Sequence, residues 1–157
     1  MKIKIIVVGK TKESFLHEGE QQMLNRLTHY CPVELVVVKA EKLTENINEQ
    51  VAKCKEAERI LDQVRPCDQI IALDERGTQL SSIEFAGFIE KKMNESAAAL
   101  CFVIGGALGL ADTVLKSAKY VLSLSKMTFT HEMIRLIFLE QLYRAFTIIR
   151  GTKYHKG

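Results

Sequence analysis

The sequence contains no stretch of about twenty apolar residues, so it predicts no membrane-spanning helix. The first segment, MKIKIIVVGK, carries a charge and then a short apolar run, as a signal peptide would. Ile3, Ile5 and Val7 alternate with other residues, however, and no small-residue cleavage site follows them. We therefore interpret this segment as a first strand, and we expect a cytoplasmic protein.

The cysteines lack the spacing of a zinc site or of a disulfide framework. They form no C-x-x-C pair, and no histidine lies at zinc-ligand spacing from two of them. Cys54 lies on the apolar stripe of a predicted helix and Cys101 lies inside a predicted strand, which is typical of cysteine as a small core residue. We expect neither a metal site nor a disulfide framework.

The chain also lacks internal repeats, linkers and low-complexity segments, so residues 1–157 are predicted to form one domain. Apolar residues make up 47% and charged residues 26% of the sequence, which is ordinary for a soluble globular protein. The net charge of +3 permits an anionic partner but does not argue for one, because so small an excess is common in proteins that never meet nucleic acid.

Strand and helix patterns alternate along the chain. Apolar and β-branched runs predict strands at residues 2–8, 33–38, 69–73, 98–104 and 120–124. Helical spacing of apolar residues predicts helices at residues 13–28, 47–64, 81–94, 112–119 and 132–150. Thr44 or Asn46 is the expected N-cap of the second helix, a serine of Ser81-Ser82 is expected to cap the third, and Gly151 is the expected stop of the fifth. This order predicts an α/β fold with one mostly parallel, doubly wound sheet flanked by helices, in which residues 33–38 are buried on both faces.

Three loops follow the predicted strand ends, the edge at which open α/β sheets bind ligands. The third strand ends at Leu73 before a predicted turn at residues 74–77, the fourth runs into the glycine-rich residues 105–109, and the fifth opens into the polar residues 125–128. The glycines permit close backbone approach to a ligand, although from the glycines alone a plain tight turn is slightly favoured. They do not form G-x-G-x-x-G and no P-loop lysine follows, so Walker-type nucleotide hydrolysis is disfavoured.

A hydrolytic triad of Ser125, His131 and Asp74 is conceivable from the residue types alone. The sequence has no G-x-S-x-G elbow, and this interpretation therefore has little support.

The last helix and the tail carry a basic and aromatic set of residues. Arg135 and Arg144 lie nine positions apart and do not share a helix face well, so we expect at least one of them to form a structural or interface ion pair. The end of the tail is either frayed or offers stacking and hydrogen-bonding groups that suit an unpaired RNA base. Leu136 and Tyr143 lie opposite the main apolar arc of the helix, which predicts a second covering surface: a symmetric dimer, or the tail folded back within the chain.

Four segments of the sequence are similar to one known family: IGGALGL at 104–110, LSLSKMTFTHEMIR at 122–135, LEQLYRAFTIIRG at 139–151 and the ending YHK. Through these, and more weakly over the whole chain, the protein resembles the RlmH family of SPOUT-class methyltransferases. The resemblance implies an α/β domain with a carboxyl-terminal trefoil knot, a homodimer, and methylation of N3 of a pseudouridine in 23S ribosomal RNA with S-adenosylmethionine.

The resemblance also implies roles for particular residues. The cofactor contacts would be Leu73, Gly105, Leu124, Ser125, Lys126, Met127, Thr128 and Phe129. The catalytic and RNA-facing residues would be His131, Arg144, Tyr154 and His155, and no metal is implied. Lys126, Arg135, Arg144, Lys153 and Lys156 would supply the positive charge near the site.

The sequence departs from the family pattern at two positions. Thr130 replaces the usual proline before the histidine, which would loosen the loop, and Leu108 replaces a polar residue near the cofactor. His131 or His155 could accept the proton from N3, with water as the rival. Two other functions stay open: a SPOUT enzyme acting on transfer RNA, and a non-catalytic RNA-binding or ribosome-associated module of the same fold.

Overall fold

The computed structural model describes residues 1–95 and 98–156; Ser96, Ala97 and Gly157, which belong to the expected domain, lie outside the described residues. The strands are β1 (Lys2–Val8), β2 (Val33–Val38), β3 (Gln69–Gln79), β4 (Ala99–Ile104) and β5 (Tyr120–Ser123). The helices are α1 (Ser14–Leu27), α2 (Glu49–Leu61), α3 (Ser82–Met93), α4 (Asp112–Ser117) and α5 (His131–Ile149). The strands form one sheet in the order β2-β1-β4-β3-β5, and every neighbouring pair is parallel. The predicted parallel α/β sheet is confirmed.

Helices bury both faces of the sheet. On one face α1, α3 and α5 pack around Phe102 and Phe138, whose ring centroids lie 4.8 Å apart. On the other face α2 and α4 pack around Val103 and Ile60. The central strand β4 is buried along its whole length, as a strand covered on both faces should be. The sheet is therefore doubly wound, as the alternation of patterns predicted.

Two predictions about the second strand and the helix after it were wrong. β2 is an edge strand and is mostly half-buried, although its β-branched run predicted burial on both faces. The N-cap of α2 is Asn48, whose side chain accepts a 2.9 Å hydrogen bond from the N–H of Val51. Thr44 and Asn46 are too early because the chain first makes a turn in which Thr44 pairs with Ile47.

The cysteines divide between core and surface. All four thiols are free; Cys31 and Cys101 are buried, whereas Cys54 and Cys67 are exposed. The interpretation of Cys101 as a core residue is confirmed, and burial raises the pKa of its thiol to about 12. The same interpretation of Cys54 was wrong, because the buried face of α2 is formed by other residues of the helix.

β3 continues well past Leu73, where the sequence predicted a turn. Leu73 and Thr78 both pair with Leu122 of β5, so residues 74–77 form an irregularity within the strand rather than its end. A Cβ atom added at Gly77 would lie 2.6 to 2.7 Å from backbone atoms of β5, so only glycine permits this close approach. The turn prediction failed because pairing with a strand distant in sequence outweighed local turn chemistry.

The N-terminal end of α3 and the C-terminal end of α5 are set by local sequence signals. The Ser81 hydroxyl accepts a hydrogen bond from the N–H of Glu84 at 3.2 Å, and the Glu84 carboxylate accepts one from the N–H of Ser81 at 2.7 Å. This reciprocal pair is a capping box, which confirms the predicted serine cap and shows that Ser81 rather than Ser82 forms it. Gly151, with a φ of 65°, follows the end of α5 in the left-handed conformation that the sequence predicted as a helix stop.

The two apolar sides of α5 are covered within the chain. Leu136 packs against α1 so closely that a Cβ atom at Gly19 would lie 2.9 Å from its side chain. Tyr143 makes edge contacts with the rings of Tyr30 and Tyr154, at centroid distances of 5.8 and 4.9 Å. The alternative in which the tail folds back is thus observed in this chain, and the apolar pattern of α5 is no longer an argument for a dimer.

Two glycines offer a matched test of the contact between β3 and β5: Gly77 lies in β3 at that contact, and Gly87 is exposed on α3. G77A is expected to destabilise the fold by roughly 2–3 kcal/mol, because the new methyl group collides with backbone that cannot move without breaking the sheet. G87A is expected to stabilise it by roughly 0.5–1 kcal/mol, because its Cβ meets nothing within 4 Å and alanine favours the helix. Urea unfolding measures both changes, and equal stability of the two variants would contradict the importance of this contact.

Candidate functional site: a cleft at the carboxyl edge of the sheet

A cleft of about 470 Å³ lies where the carboxyl ends of β3, β4 and β5 meet. Its floor is apolar and its rim is polar, as in ligand-binding pockets generally. The three loops that the sequence analysis singled out form its walls, and the first turn of α5 closes one side. It is lined by residues 73–75, 104–110, 122–125 and 127–130, together with His131 and Ile134.

The glycine loop after β4 is packed too tightly for side chains. A Cβ atom at Gly105 would lie 2.8 Å from the carbonyl carbon of Gly109, and one at Gly106 would lie 3.0 Å from the side chain of Val8. Gly109 itself has a φ of 78°, which favours glycine. The loop therefore presents backbone rather than side chains along much of this wall, and Leu108 lines the cleft as the apolar residue that the sequence comparison anticipated.

The loop between β5 and α5 is shaped by hydrogen bonds of its own hydroxyl side chains. The Ser123 hydroxyl donates to the carbonyl of Ser125 at 2.9 Å, and the Ser125 hydroxyl accepts from the N–H of Met127 at 2.9 Å. Thr130 is the N-cap of α5, and its hydroxyl accepts from the N–H of Met133 at 3.2 Å. The expectation that Thr130 loosens the loop is not supported, because this side chain ties the loop to the helix.

Two carboxylates lie on the rim beside β3, where the sequence predicted only a turn. The Arg76 guanidinium holds the pKa of Asp74 below its ordinary value, with hydrogen bonds of 2.8 and 3.1 Å to the carboxylate. Glu75 is exposed and lies 3.5 Å from the hydroxyl of Thr128 across the cleft. The rim thus carries negative charge, a feature that sequence reasoning missed because the extension of β3 was not visible.

His131 is the one ionisable side chain at the α5 wall of the cleft among the residues that the structure describes. Burial lowers its pKa, and the neighbouring Arg135 guanidinium lowers it further, so the imidazole is neutral near pH 7. No hydrolytic triad forms around it: the Ser125 hydroxyl bonds within its own loop and Asp74 pairs with Arg76. The structure therefore gives no support to a hydrolytic triad of Ser125, His131 and Asp74.

The remaining RNA-facing candidates form a second cluster at the far end of α5. Glu140 accepts hydrogen bonds from Arg144 at 2.6 Å and from the Tyr154 hydroxyl at 3.2 Å. Arg144 also lies 3.3 Å from Nδ1 of His155, and its guanidinium sits 5.0 Å from the centre of the Tyr154 ring. The pKa of Tyr154 is raised, chiefly by burial and then by Glu140. Sequence reasoning missed Glu140, although its spacing of four residues from Arg144 is the usual sign of a helical ion pair.

The structure therefore divides the predicted site residues into two groups. All the expected cofactor contacts except Lys126 line the cleft, and Lys126 is exposed on the same loop. Arg144 follows His131 by thirteen residues on α5, which separates them by roughly 20 Å along the helix. One chain by itself does not bring His131 together with Arg144, Tyr154 and His155.

The expected role of Arg135 in attracting RNA was wrong. Its side chain is buried and donates hydrogen bonds to the carbonyls of Val8 and Gly9, the latter at 2.9 Å. The expectation that at least one of the two arginines forms a structural pair is confirmed by the 2.6 Å bond between Arg144 and Glu140.

Within residues 1–95 and 98–156 no helix is both long and apolar enough to cross a membrane. The same part of the chain contains no group of three histidine, cysteine, aspartate or glutamate side chains arranged to hold a metal ion.

A doubly wound parallel sheet with a glycine-walled cleft at its carboxyl edge is the architecture of α/β enzymes that bind a nucleotide-like ligand at strand ends. Residues 1–155 match the family model described as "Predicted SPOUT methyltransferase", and the chain belongs to this family. It is 46% identical over 155 residues to a Parabacteroides distasonis protein named "Ribosomal RNA large subunit methyltransferase H", covering 99% of each chain. A protein of the same name from Carboxydothermus hydrogenoformans is 48% identical over 160 residues, covering 99% of this chain and 100% of the relative.

Solved structures share the fold at much lower identity. A probable methylase family protein from Haemophilus influenzae superposes with a TM-score of 0.58 at 18% identity, covering 99% of this chain and 70% of the other. A probable methyltransferase from Bordetella pertussis superposes with a TM-score of 0.56 at 15% identity, covering 92% and 93%. These likenesses support the fold of the family.

Proposed function

We propose that this protein is a cytoplasmic methyltransferase that transfers a methyl group from S-adenosylmethionine to N3 of a pseudouridine in 23S ribosomal RNA. The observation that carries the proposal is the convergence of three strand-end loops in one cleft beside His131. Full-length relatives with nearly half of the residues identical, each named as a large-subunit ribosomal RNA methyltransferase, support the substrate class. Residues 1–157 form one catalytic domain in this proposal, and the trefoil knot remains a prediction from the family resemblance.

The cleft suits the chemical groups of S-adenosylmethionine. Leu73, Leu124 and the glycine-rich loop offer an apolar slot with backbone groups at its edge, which fits a flat heteroaromatic base. Glu75 on the rim is exposed and forms no ion pair with the described residues, so its carboxylate favours a positively charged ligand, whereas Asp74 is paired with Arg76. When bound, the cofactor supplies an electrophilic methyl group on a sulfonium. Gly105 and the loop residues Leu124, Ser125, Lys126, Met127, Thr128 and Phe129 would hold it.

The protein's own contribution to the reaction is to position the nucleobase and to remove its proton. Methyl transfer needs in-line approach of the two reactants, so holding them at the right distance supplies much of the rate enhancement. His131 lies on the cleft wall with a neutral imidazole, the form that accepts a proton. Arg144, Tyr154 and His155 offer cationic, stacking and hydrogen-bonding groups that suit an unpaired base of an RNA.

A second copy of the chain would bring the two groups of residues together. Since roughly 20 Å of helix separates His131 from Arg144 within one chain, the tail of a partner is needed beside each cleft. We therefore propose a symmetric homodimer in which each site combines the cleft of one protomer with the Arg144, Tyr154 and His155 cluster of its partner.

Mapping methylated bases tests the proposed reaction directly. Ribosomes and transfer RNA from cells lacking this protein are incubated with labelled S-adenosylmethionine and either wild-type protein, G105A or the control G87A. We expect label at N3 of one 23S pseudouridine with the wild type and G87A and none with G105A, because its methyl group collides with Gly109 and distorts the cofactor wall. Label in transfer RNA would favour the tRNA alternative, and cofactor uptake without label in either RNA would favour a non-catalytic module.

The pH dependence of a single turnover identifies the proton acceptor. If His131 is the base, the rate declines only as pH falls through its lowered pKa, because the imidazole must be neutral, and H131Q loses this decline together with most of the rate. H155Q is the matched test of the second histidine. An unchanged rate and pH profile in both variants would assign the proton to water.

Mixing two inactive variants tests the shared site. G105A damages the cleft and R144A damages the tail cluster, so a mixed dimer contains one intact site built from the undamaged half of each chain. Equal amounts that exchange subunits should recover about a quarter of wild-type activity, since half of the dimers are mixed and each has one site of two. Activity no higher than that of the separate variants would contradict a site that spans two protomers.

A further inference from the structure

The segment between β1 and α1, residues 9–13, is tied to α5 by a buried guanidinium. Arg135 is only 3% exposed and donates to the carbonyls of Val8 and Gly9 and to the Thr11 hydroxyl, at 3.2 Å for the last. Thr11 in turn donates to the buried carboxylate of Glu20 at 2.7 Å. Burying an arginine is costly unless its hydrogen bonds are made, and here nearly all of them go to this loop. Its Nε, which is buried without a partner, shows that the contact is held at some cost.

A second contact ties the same loop to the first turn of α5. The N–H of Lys12 donates to the carboxylate of Glu132, the residue directly after His131. The β1–α1 loop is therefore held at its start and near its end by two residues of α5, Arg135 and Glu132, that follow the cleft-lining histidine.

These contacts place the loop beside the cleft. Val8, at the start of the loop, packs against Gly106 of the glycine-rich wall. The positive charge of Lys12 is also one of the causes that lower the pKa of His131, after burial and Arg135, which means that it lies within electrostatic range of the imidazole. The loop thus lies next to the cleft on the β1 side, behind the wall formed by Gly106.

Two lysines of this loop have ammonium groups that form no ion pair within residues 1–95 and 98–156. Lys10 and Lys12 are both exposed, and neither forms an ion pair with any residue in the described part of the chain. They place two exposed positive charges next to the cleft, and of the carboxylates in contact with the loop Glu20 is buried and Glu132 accepts the Lys12 N–H. Exposed lysines in such a position suit phosphates, which fix the register of a bound nucleic acid without reading its sequence.

We propose that the β1–α1 loop is a docking element for the RNA backbone, in which Lys10 and Lys12 contact phosphates near the modified base and Arg135 is a positioning residue that holds the loop beside the cleft. This inference rests on the proposed RNA methyltransferase function. It gives the loop a role that neither the cofactor cleft nor the tail cluster supplies.

The salt dependence of RNA binding tests the two lysines. The double variant K10A/K12A is compared with K91A/K116A, which removes two exposed lysines from the last turns of α3 and α4 at the opposite edge of the sheet. Binding to a 23S ribosomal RNA transcript is measured over a range of salt concentrations. We expect K10A/K12A to weaken binding about tenfold or more at low salt and to reduce the slope of log K against log salt by about 1.4, or 0.7 for each lost phosphate contact.

Two further measurements, the affinity for S-adenosylmethionine and the activity of the wild type, distinguish a failure of this inference from a failure of the proposed function. K10A/K12A should bind the cofactor as tightly as the wild type, and the control K91A/K116A should match the wild type in both measurements. A K10A/K12A variant with wild-type RNA affinity and salt slope, in a preparation whose wild type methylates 23S RNA, overturns this inference alone. A wild type that methylates no ribosomal RNA overturns the proposed function instead.

A double-mutant cycle tests the role of Arg135. R135K keeps the buried charge but cannot make all the hydrogen bonds to Val8, Gly9 and Thr11, so it is expected to fold and to bind RNA more weakly with unchanged cofactor affinity. If the arginine acts through the lysines, R135K adds no further loss in the K10A/K12A background. Fully additive losses would show that Arg135 does not act through this loop. Amide exchange in residues 9–13 should be faster in R135K, and protection equal to the wild type would contradict the positioning role.

Discussion

The close contact between β3 and β5 at Gly77 is the constraint on which the cleft depends. β5 is short, and it reaches the sheet edge only by pairing with β3 on both sides of the irregularity at residues 74–77. This pairing carries the loop after β5 to a position opposite Asp74 and Glu75 and next to the glycine loop of β4. Without a glycine at position 77 the backbones could not approach, and the wall formed by residues 124–130 would have no fixed position.

Helix α5 connects every part of the candidate site. Its N-terminal turn contributes His131 and Ile134 to the cleft, its middle packs on the sheet through Phe138, and its last turns carry Arg144. Because a helix is nearly rigid along its axis, it keeps the cleft and the tail cluster roughly 20 Å apart within one chain. This fixed separation is the reason that we propose a second protomer at each site.

The two arginines of α5 show how one residue type serves opposite purposes. Arg135 is buried against the end of β1, where its guanidinium donates to the backbone carbonyls of Val8 and Gly9. Arg144 is partly exposed and is held by Glu140 in contact with Tyr154 and His155, where its charge is available to a ligand. Electrostatic attraction for an anionic partner therefore depends on which arginines stay at the surface and not on the net charge of +3.

Local patterns in the sequence determined much of the fold. The alternation of apolar runs located all five strands and the five helices, and short-range signals such as Ser81 with Glu84, or Gly151 after α5, located helix ends, because these features depend on neighbours within one turn. The family resemblance of residues 104–110 and 122–135 indicated the cofactor loops. Every expected cofactor contact except Lys126 lines one cleft.

Only the tertiary structure decided the features that depend on residues distant in sequence. The extension of β3 arose from pairing with β5, the half-exposure of β2 from its place at the sheet edge, and the burial of Arg135 from contacts with β1 more than one hundred residues away. The separation of His131 from Arg144 followed from the unbroken course of α5. The sequence by itself determined which segments are strands, helices and loops, because those preferences are local, whereas side-chain exposure and the composition of the site were decided by packing between distant segments.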